Sequence, residues 1–502
     1  ETLFKGICDK KRFIDILENF ILFTLDEKHD LIKIFPKNHQ FLGVNASIES
    51  FKNRKDNKGR LGVFWHTQGA GKSISMVFFS EKILRKISGN WKFVVVTDRG
   101  ELDKQIYENY LNPSLIKKIA VRAKSIAHLR KLLSENNRYV FTLIHKFQQS
   151  DKELMHPTLI EQDDVIVMTD EAHRSQYATL AMNMRSAMPN ANFLAFTGTP
   201  LIDKDGDNEK TREVFGNYVS TYNFAESIED KATVPLYYEN RTPEVEIINE
   251  KLDEDLSDLI DTFELGDIEE KTLNRRIAKQ YHIITRDERL DNVAKDIVNH
   301  FIHRYQQGKA MVVSIDIPTC VIMYDKVQIH WKKALEELKK TNPELYKFHE
   351  ETDMAVVVSQ SQNEEERLNK KGTTIIPHRE RMITETLDKK FKDKDDPLKI
   401  VFVCDMWMTG FNVPPVSTIY IHKPMKNHTL MQTIARANRV FPGKKSGLIV
   451  SYINLFSNLQ KALATYADGE GIIGSPITDK KELKDLLLKE LEKTEALLSK
   501  HD

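Results

Sequence analysis

Residues 61–83 read LGVFWHTQGAGKSISMVFFSEKI, an apolar strand followed by a glycine-rich loop and an apolar helix. This strand–loop–helix order is the context that a phosphate-binding P-loop requires. Gly69 and Gly71 allow backbone N–H groups to close around phosphate oxygens, and the helix N-terminus adds its positive dipole end. The stretch therefore predicts a nucleotide-binding α/β domain.

The side chains of this loop predict an ATP site with its metal ion. We expect Lys72 to place its charge on the β- and γ-phosphates and the Ser73 hydroxyl to ligate Mg²⁺. Thr67 and Ala70 complete the loop residues expected to bind the nucleotide. His66 stands where the strict pattern has its first glycine. The other glycines can still shape the loop, so ATP and Mg²⁺ are the predicted cofactors.

A second apolar run, 165–169, is followed by the sequence DEAH. A buried strand that delivers adjacent carboxylates at its C-terminal end suits ATP hydrolysis. Asp170 is predicted to hold Mg²⁺ through water, and Glu171 to orient and deprotonate the attacking water. His173 is expected to couple the site to a second domain. DEAH alone could be a charged helix start, but its position after a strand and downstream of the P-loop favours the catalytic interpretation.

Strand-length apolar runs alternate with helix-like segments along the chain, which predicts parallel α/β architecture. The predicted strands are 61–65, 92–97, 139–143, 165–169 and 192–196 in the first half, and 310–315, 354–359, 399–404, 418–421 and 446–452 in the second. The predicted domains are a helical lead-in (1–35), a first α/β domain (36–238), a charged helical connector (239–286), a second α/β domain (287–455) and a C-terminal helical segment (456–502).

The composition of the 502 residues excludes several classes of protein. The 74 basic residues balance the 74 acidic ones, so a DNA-binding surface has to be a local basic track. Cys8, Cys320 and Cys404 are too scattered for a disulfide framework or a zinc site, and the last two are expected to be buried thiols. No apolar run approaches the ~18 residues of a membrane span and no signal peptide opens the chain, so we expect a cytoplasmic protein.

These motifs together resemble those of superfamily 2 helicases and translocases. FTGTP at 196–200 resembles motif III, VFVCDMWMTGFNV at 401–413 resembles motif V, and QTIARANR at 432–439 resembles motif VI. The resemblance implies two tandem RecA-like domains, with parallel sheets flanked by helices and a short helical segment at the end. It also implies that Gln40 reads adenine, although a solvated loop amide is an equally good interpretation of this residue.

Motif VI carries the side chains that the resemblance assigns to the second domain. Gln432 is expected to bind the nucleotide, and Arg436 and Arg439 are expected to reach ATP across the domain cleft as arginine fingers. Such a finger is typically worth ~10³–10⁵ in rate. A solvated helix face is the alternative for the two arginines, but the spacing from Gln432 favours the catalytic interpretation.

The match extends to the motor/restriction (HsdR) subunit of type I restriction enzymes. It rests on seven segments within roughly residues 35 to 455: WHTQGAGKS, VVVTDRGELDKQ, DEAHRSQY, FTGTPL, VPLYYENR, MTGFNVPPV and QTIARANR. The resemblance implies an ATP-dependent translocase on double-stranded DNA, with methylation and specificity subunits as partners. That family has an endonuclease domain ahead of the motor, and we find no such motif here. Because the chain starts at Glu1 and not at Met, we expect a fragment, and because the nuclease motif is missing from it we expect no nuclease chemistry.

The positions of the motifs also predict contacts with the DNA backbone. Hydroxyls and backbone N–H groups would bind phosphates without reading sequence, as a motor that steps along DNA requires. For each residue a plain loop or cap role is the alternative. The candidates are Arg99, Thr142 with Lys146, Ser314, Thr409 and Gly410.

Three other functions remain in competition at this point. A strand-separating DNA or RNA helicase of the same superfamily would share the core motifs, and a single-strand preference would distinguish it. A nucleotide-dependent scaffold with an inactive ATPase is disfavoured, because no member of the catalytic set is missing. A P-loop kinase or transporter ATPase is disfavoured by the second α/β half with its QTIARANR segment.

Overall fold

A computed structural model describes most of the chain in two compact units, Glu1–Ser227 and Ile228–Asp502. Each unit is built on its own seven-stranded sheet. The described residues are 6–25, 30–97, 120–147, 158–170, 175–198, 212–241, 281–304, 308–361, 363–408, 411–425, 427–453, 455, 458–460, 477–479, 484, 487–489 and 491.

The first unit contains a small antiparallel hairpin and a parallel sheet. The hairpin strands are β1 (Leu22–Leu25) and β2 (Leu31–Ile34). The sheet strands are β3 (Arg60–His66), β4 (Lys92–Thr97), β5 (Ala120–Arg122), β6 (Tyr139–Leu143), β7 (Val165–Asp170), β8 (Asn192–Thr197) and β9 (Tyr218–Tyr222). Their order is β5-β6-β4-β7-β8-β3-β9. The central strands are apolar on both faces because a separate core packs on each side of the sheet.

Helices cover both faces of this sheet. They are α1 (Lys10–Asn19), α2 (Asn38–Lys52), α3 (Lys72–Lys86), α4 (Ile126–Ser134), α5 (Ser175–Ala187) and α6 (Phe224–Glu229), with a 3₁₀ turn at Ile144–Phe147. Helix α1 is held against α3, the helix that follows the P-loop, by a partly buried polar contact. Lys82 Nζ on α3 lies 2.6 Å from Asp15 Oδ2 on α1 and 2.6 Å from Asn45 Oδ1 on α2. This contact links the three helices near the C-terminal half of α3.

The second unit repeats the architecture with a second parallel sheet. Its strands are β10 (Leu236–Asn240), β11 (Lys309–Ser314), β12 (Asp353–Val357), β13 (Leu398–Val403), β14 (Val416–His422), β15 (Gly447–Ser451) and β16 (Ile477–Asp479), in the order β12-β13-β11-β14-β15-β10-β16. Its helices are α7 (Asp287–His303), α8 (Ile317–Thr341), α9 (Pro343–His349), α10 (Glu364–Lys370), α11 (Ile376–Thr384), α12 (Leu387–Lys392) and α13 (Asn427–Ile434). The predicted fold class, two tandem α/β domains with parallel sheets, is confirmed.

All ten predicted strands are present, and the differences lie at the domain ends. Strand β10 pairs in parallel with β15, so residues 228–238 belong to the second unit, whereas the sequence pattern predicts them in the first domain. The predicted helical lead-in also contains the β1–β2 hairpin. The predicted C-terminal helical segment contains β16, and its described helical residues are 484, 487–489 and 491. Most of the predicted connector, 242–280, lies outside the described residues.

Two smaller expectations can be compared with the structure. Cys320 and Cys404 are buried free thiols, as predicted. Among the helices in the described ranges, none combines the length and the apolar character that a membrane span demands.

Candidate active site

The P-loop connects the C-terminal end of β3 to the N-terminus of α3. Gly69 has a φ of 95° and Gly71 a φ of 83°. These left-handed values disfavour residues with a Cβ atom, which explains why glycine occupies both positions. Helix α3 begins at Lys72 immediately after Gly71, so its first N–H groups border the loop. Such a loop at a helix N-terminus is an anion-binding site.

Lys72, the predicted phosphate-binding lysine, lies against motif III. Its Nζ donates to the carbonyl of His66 at 3.2 Å. A Cβ atom built on Gly198 would lie 2.9 Å from this Nζ and 2.6 Å from Cγ of Gln68. Strands β3 and β8 are neighbours, and their C-terminal ends place the two motifs side by side. Gly198 therefore leaves the space that the lysine occupies, a role that the sequence motif alone did not indicate.

The predicted metal ligands come from this same edge of the sheet. Asp170 is the last residue of β7 and is buried, while Ser73 lies in the first turn of α3 and is partly exposed. A carboxylate and a hydroxyl are oxygen donors of the kind that Mg²⁺ prefers, so the donor set fits the predicted ion. Glu171 and His173 lie outside the described residues.

Gln40 is not a solvated amide, because its side chain is only 4% exposed. Its Oε1 accepts a hydrogen bond from the Lys37 backbone N–H at 2.9 Å, and its Nε2 donates to the Gly71 carbonyl at 3.0 Å. Both ends of the amide therefore bind this chain's own backbone, and one of them supports the P-loop. Recognition of adenine by Gln40 stays a prediction.

His66, at the first-glycine position, is fully buried and contributes no charge to the loop. Its Nε2 lies 2.8 Å from the Ser220 hydroxyl. Burial, followed by the neighbouring His39 and Lys72, holds the pKa of His66 well below its ordinary value. The imidazole is therefore neutral near pH 7, and Lys72 supplies the positive charge here.

In the second unit the two motif VI arginines have different surroundings. Arg436 is buried, its Nε donates to the Gln432 carbonyl at 3.1 Å and its Nη1 donates to the Phe411 carbonyl. Arg439 is partly buried, and its Nε has no hydrogen-bond partner among the described residues. Burial lowers the pKa of Arg439 to about 10. A desolvated guanidinium with an unsatisfied Nε donor is suited to receive an anion.

Lys444, which lies beyond motif VI, contacts the chain that follows motif V, and burial lowers the pKa of its ammonium group to about 7. Lys444 Nζ donates to the carbonyls of Pro414 at 3.3 Å and Val416 at 2.5 Å. Arg436 binds the Phe411 carbonyl in the same stretch. Residues 411–416 are thus held by two side chains, Arg436 within motif VI and Lys444 beyond its C-terminal end. We call this set of contacts the V–VI clamp.

The predicted DNA contacts are only partly visible. Thr142 on β6 and Ser314 at the end of β11 are both fully buried, and their hydroxyls have no partner among the described residues. A phosphate of the DNA backbone cannot reach buried hydroxyls, so these two positions do not form a surface contact as they stand. Lys146 Nζ donates to the Ala123 carbonyl. Arg99, Thr409 and Gly410 lie outside the described residues.

Comparisons with known proteins agree with this arrangement. The SWI2/SNF2 ATPase family matches residues 39–269, and the family of type I restriction enzyme subunit R domain 3 matches residues 306–454. The type I restriction enzyme HindI endonuclease subunit of Haemophilus influenzae is 36% identical over 495 residues, which cover 94% of this chain and 44% of the relative. Over nearly its whole length, this chain is homologous to type I restriction enzyme endonuclease (R) subunits.

One further curated relative is similar in sequence, and one solved structure is similar in fold. The MjaIXP protein of Methanocaldococcus jannaschii, assigned as such an endonuclease subunit, is 37% identical over 477 residues, covering 93% of this chain and 42% of the relative. An HsdR fragment from Vibrio vulnificus has the same fold, with a TM-score of 0.54 at 15% identity over 88% of this chain and 68% of that one. The chain spans less than half the length of the two curated R subunits.

Proposed function

We propose that this chain is the motor segment of a type I restriction enzyme R subunit, which hydrolyses ATP to translocate along double-stranded DNA. The observation that carries the proposal is the preformed P-loop, in which Lys72 lies between the His66 carbonyl and Gly198. The similarity of the chain to the SWI2/SNF2 ATPase family and to the R-subunit relatives also supports an ATP-hydrolysing motor.

The residues divide the work of phosphoryl transfer, which needs positioning and charge neutralisation more than covalent chemistry. The loop N–H groups and Lys72 bind the phosphates. Ser73 and Asp170 would hold Mg²⁺, which when bound neutralises charge on the β- and γ-phosphates. Glu171 is proposed to orient the attacking water and accept its proton. These assignments follow from the positions of the residues in the motifs.

Arg439 is proposed as the arginine finger, and Arg436 as the residue that supports it. The two have the same chemistry, but only Arg439 has a hydrogen-bonding nitrogen, Nε, that is buried without a partner among the described residues. Arg436 is occupied by the carbonyls of Gln432 and Phe411. A finger has to exchange its surroundings for a phosphate, and this is easier for a side chain that gives up no existing bond.

The V–VI clamp offers a route from ATP turnover to DNA movement. Thr409 and Gly410, the predicted DNA contacts of motif V, directly precede the clamped residues 411–416. We propose that a displacement of motif VI on hydrolysis is transmitted through Arg436 and Lys444 to this segment. Sequence specificity would come from methylation and specificity subunits, which are the proposed partners.

The test is the ATPase activity of the purified chain without nucleic acid, with single-stranded DNA, with double-stranded DNA and with RNA. Lys72→Ala removes the P-loop lysine, and Lys86→Ala, an exposed lysine of the same helix, is the matched control. We expect stimulation by duplex DNA that Lys72→Ala abolishes and Lys86→Ala leaves unchanged. Stimulation mainly by single strands or by RNA would instead identify a strand-separating helicase. Absence of hydrolysis, with the partner subunits also present, would indicate an inactive scaffold.

A further inference from the structure

We propose that His39 is a positioning residue for ATP binding, which orients the P-loop by holding the carbonyl of Ala70. This inference rests on the proposed ATPase function and adds a residue that neither the motifs nor the relatives' names assign. His39 lies outside the P-loop, in the first turn of α2, 31 residues before Ala70.

The contact itself is short and buried. His39 Nε2 lies 2.8 Å from the Ala70 carbonyl oxygen, and both groups are shielded from solvent. A carbonyl oxygen only accepts hydrogen bonds, so Nε2 must carry the proton and donate it. The next residue of α2, Gln40, donates to the next carbonyl of the loop, that of Gly71, at 3.0 Å. Two consecutive carbonyls are therefore drawn toward the start of α2.

The planar trans peptide explains why this matters for phosphate binding. In such a unit the C=O of one residue and the N–H of the next point in opposite directions. Drawing the Ala70 and Gly71 carbonyls toward α2 therefore directs the N–H groups of Gly71 and Lys72 away from it. These N–H groups form the anion-binding concavity of a P-loop. A carbonyl turned the other way would present a partial negative charge to the phosphates.

The orientation of His39 is fixed by Tyr222 at the end of β9. The two rings are stacked with centroids 3.8 Å apart and an interplanar angle of 14°. The Tyr222 carbonyl also accepts the N–H of Thr67 at 2.8 Å, at the beginning of the loop. The stacked pair thus holds the loop at both ends, through Thr67 and through Ala70. This arrangement needs a flat ring that also carries a donor, and histidine provides both.

Substitutions can separate the donor from the ring. His39→Phe keeps a flat ring against Tyr222 and removes the donor. His39→Gln places an amide donor at nearly the reach of Nε2 and removes the ring. His349→Phe is the matched control, because His349 is a similarly buried histidine that packs against Phe301 and Trp331 in the second unit.

The experiment measures KM for ATP, kcat and thermal stability for the intact chain and these three variants with saturating duplex DNA. We expect His39→Phe to raise KM about fivefold to tenfold, with kcat within about twofold, because the loop is then no longer held in its phosphate-binding conformation and ATP binding has to order it. His39→Gln should stay within about threefold of the wild-type KM, and His349→Phe should leave KM unchanged.

Each alternative result has a definite meaning. A wild-type KM in His39→Phe, or an equal rise in His39→Gln and His39→Phe, would overturn the role of the donor. If His39→Phe does not fold, the wild-type-like KM expected of His39→Gln still tests the proposal, since a merely structural ring would not be replaced by an amide. Failure of the wild-type chain to bind or hydrolyse ATP, measured in the same series, would overturn the proposed function itself.

Discussion

Replacing Arg439 by methionine should make the nucleotide-free chain more stable while nearly abolishing its ATPase activity. The guanidinium is partly buried, and its Nε has no hydrogen-bond partner among the described residues. A buried charge without a partner is unfavourable, and a methionine of similar length keeps most of the packing of the arginine side chain. The structure therefore holds an unfavourable cation at the position proposed for the arginine finger.

The expected gain in stability can be worked out from the lowered pKa of Arg439. Burial lowers the pKa of Arg439 to about 10, and a displacement of this size from the ordinary arginine value corresponds to roughly 3 kcal/mol. Because part of the side chain is exposed, solvent screening reduces the expected gain to about 1–2 kcal/mol. Loss of an arginine finger lowers kcat by ~10³-fold or more.

Arg436→Met is the matched control, since it changes the same residue type three positions earlier. Its side chain donates to the carbonyls of Gln432 and Phe411, so its loss should destabilise the chain by about 1–3 kcal/mol. Urea denaturation of the second unit gives the free energies of unfolding, and steady-state hydrolysis with duplex DNA gives kcat. If Arg439→Met destabilises the chain by more than 1 kcal/mol, or retains kcat within tenfold, the assignment of Arg439 as the finger is wrong.

Two other substitutions test the first-unit site and the second-unit core. Gly198→Ala should raise KM for ATP and lower kcat with little change in the melting temperature. The reason is that the alanine Cβ would lie 2.9 Å from Lys72 Nζ and displace the ammonium group. Unchanged kinetics would show that Gly198 does not leave space for Lys72. His422 is fully buried, and burial lowers its pKa to about 3, so the folded state stays neutral while the unfolded state takes up a proton below about pH 6.5. The chain should therefore lose stability as the pH falls from about 6.5 toward 4. His422→Phe should reduce the dependence of the unfolding free energy on pH by up to about 1.4 kcal/mol per pH unit, as measured by denaturation at several pH values. An unchanged pH dependence would show that His422 does not contribute.

The fold could be predicted where the strands are buried on both faces. Continuous apolar runs such as those of β4 and β7 occur because helices cover both sides of the sheet, and they stand out in the sequence. The strands that were missed are short or alternate in polarity at the sheet margin, as in β9 with YVSTY and β10 with LYYEN. Nothing local to β10 indicates that it pairs with β15, more than 200 residues later, so the domain boundary was misplaced.

The residues proposed for the chemistry of the site can be read from local sequence patterns, whereas the residues that surround and support them cannot. Lys72, Ser73 and Asp170 follow from local patterns, because a P-loop and an acidic strand end are defined by neighbouring residues. The different surroundings of Arg436 and Arg439 could not be predicted, because they depend on carbonyl groups that only the fold brings together.

The most direct test of the central claim is displacement of a third strand from a DNA triplex that lies within an otherwise plain duplex. The chain is incubated with ATP, alone and with the methylation and specificity subunits, and release of the labelled third strand is followed with time. A duplex translocase is expected to release the third strand in an ATP-dependent way, to leave the two duplex strands paired, and to lose this activity in Lys72→Ala. Unwinding of a forked duplex without triplex displacement would contradict the proposal and identify a strand-separating helicase.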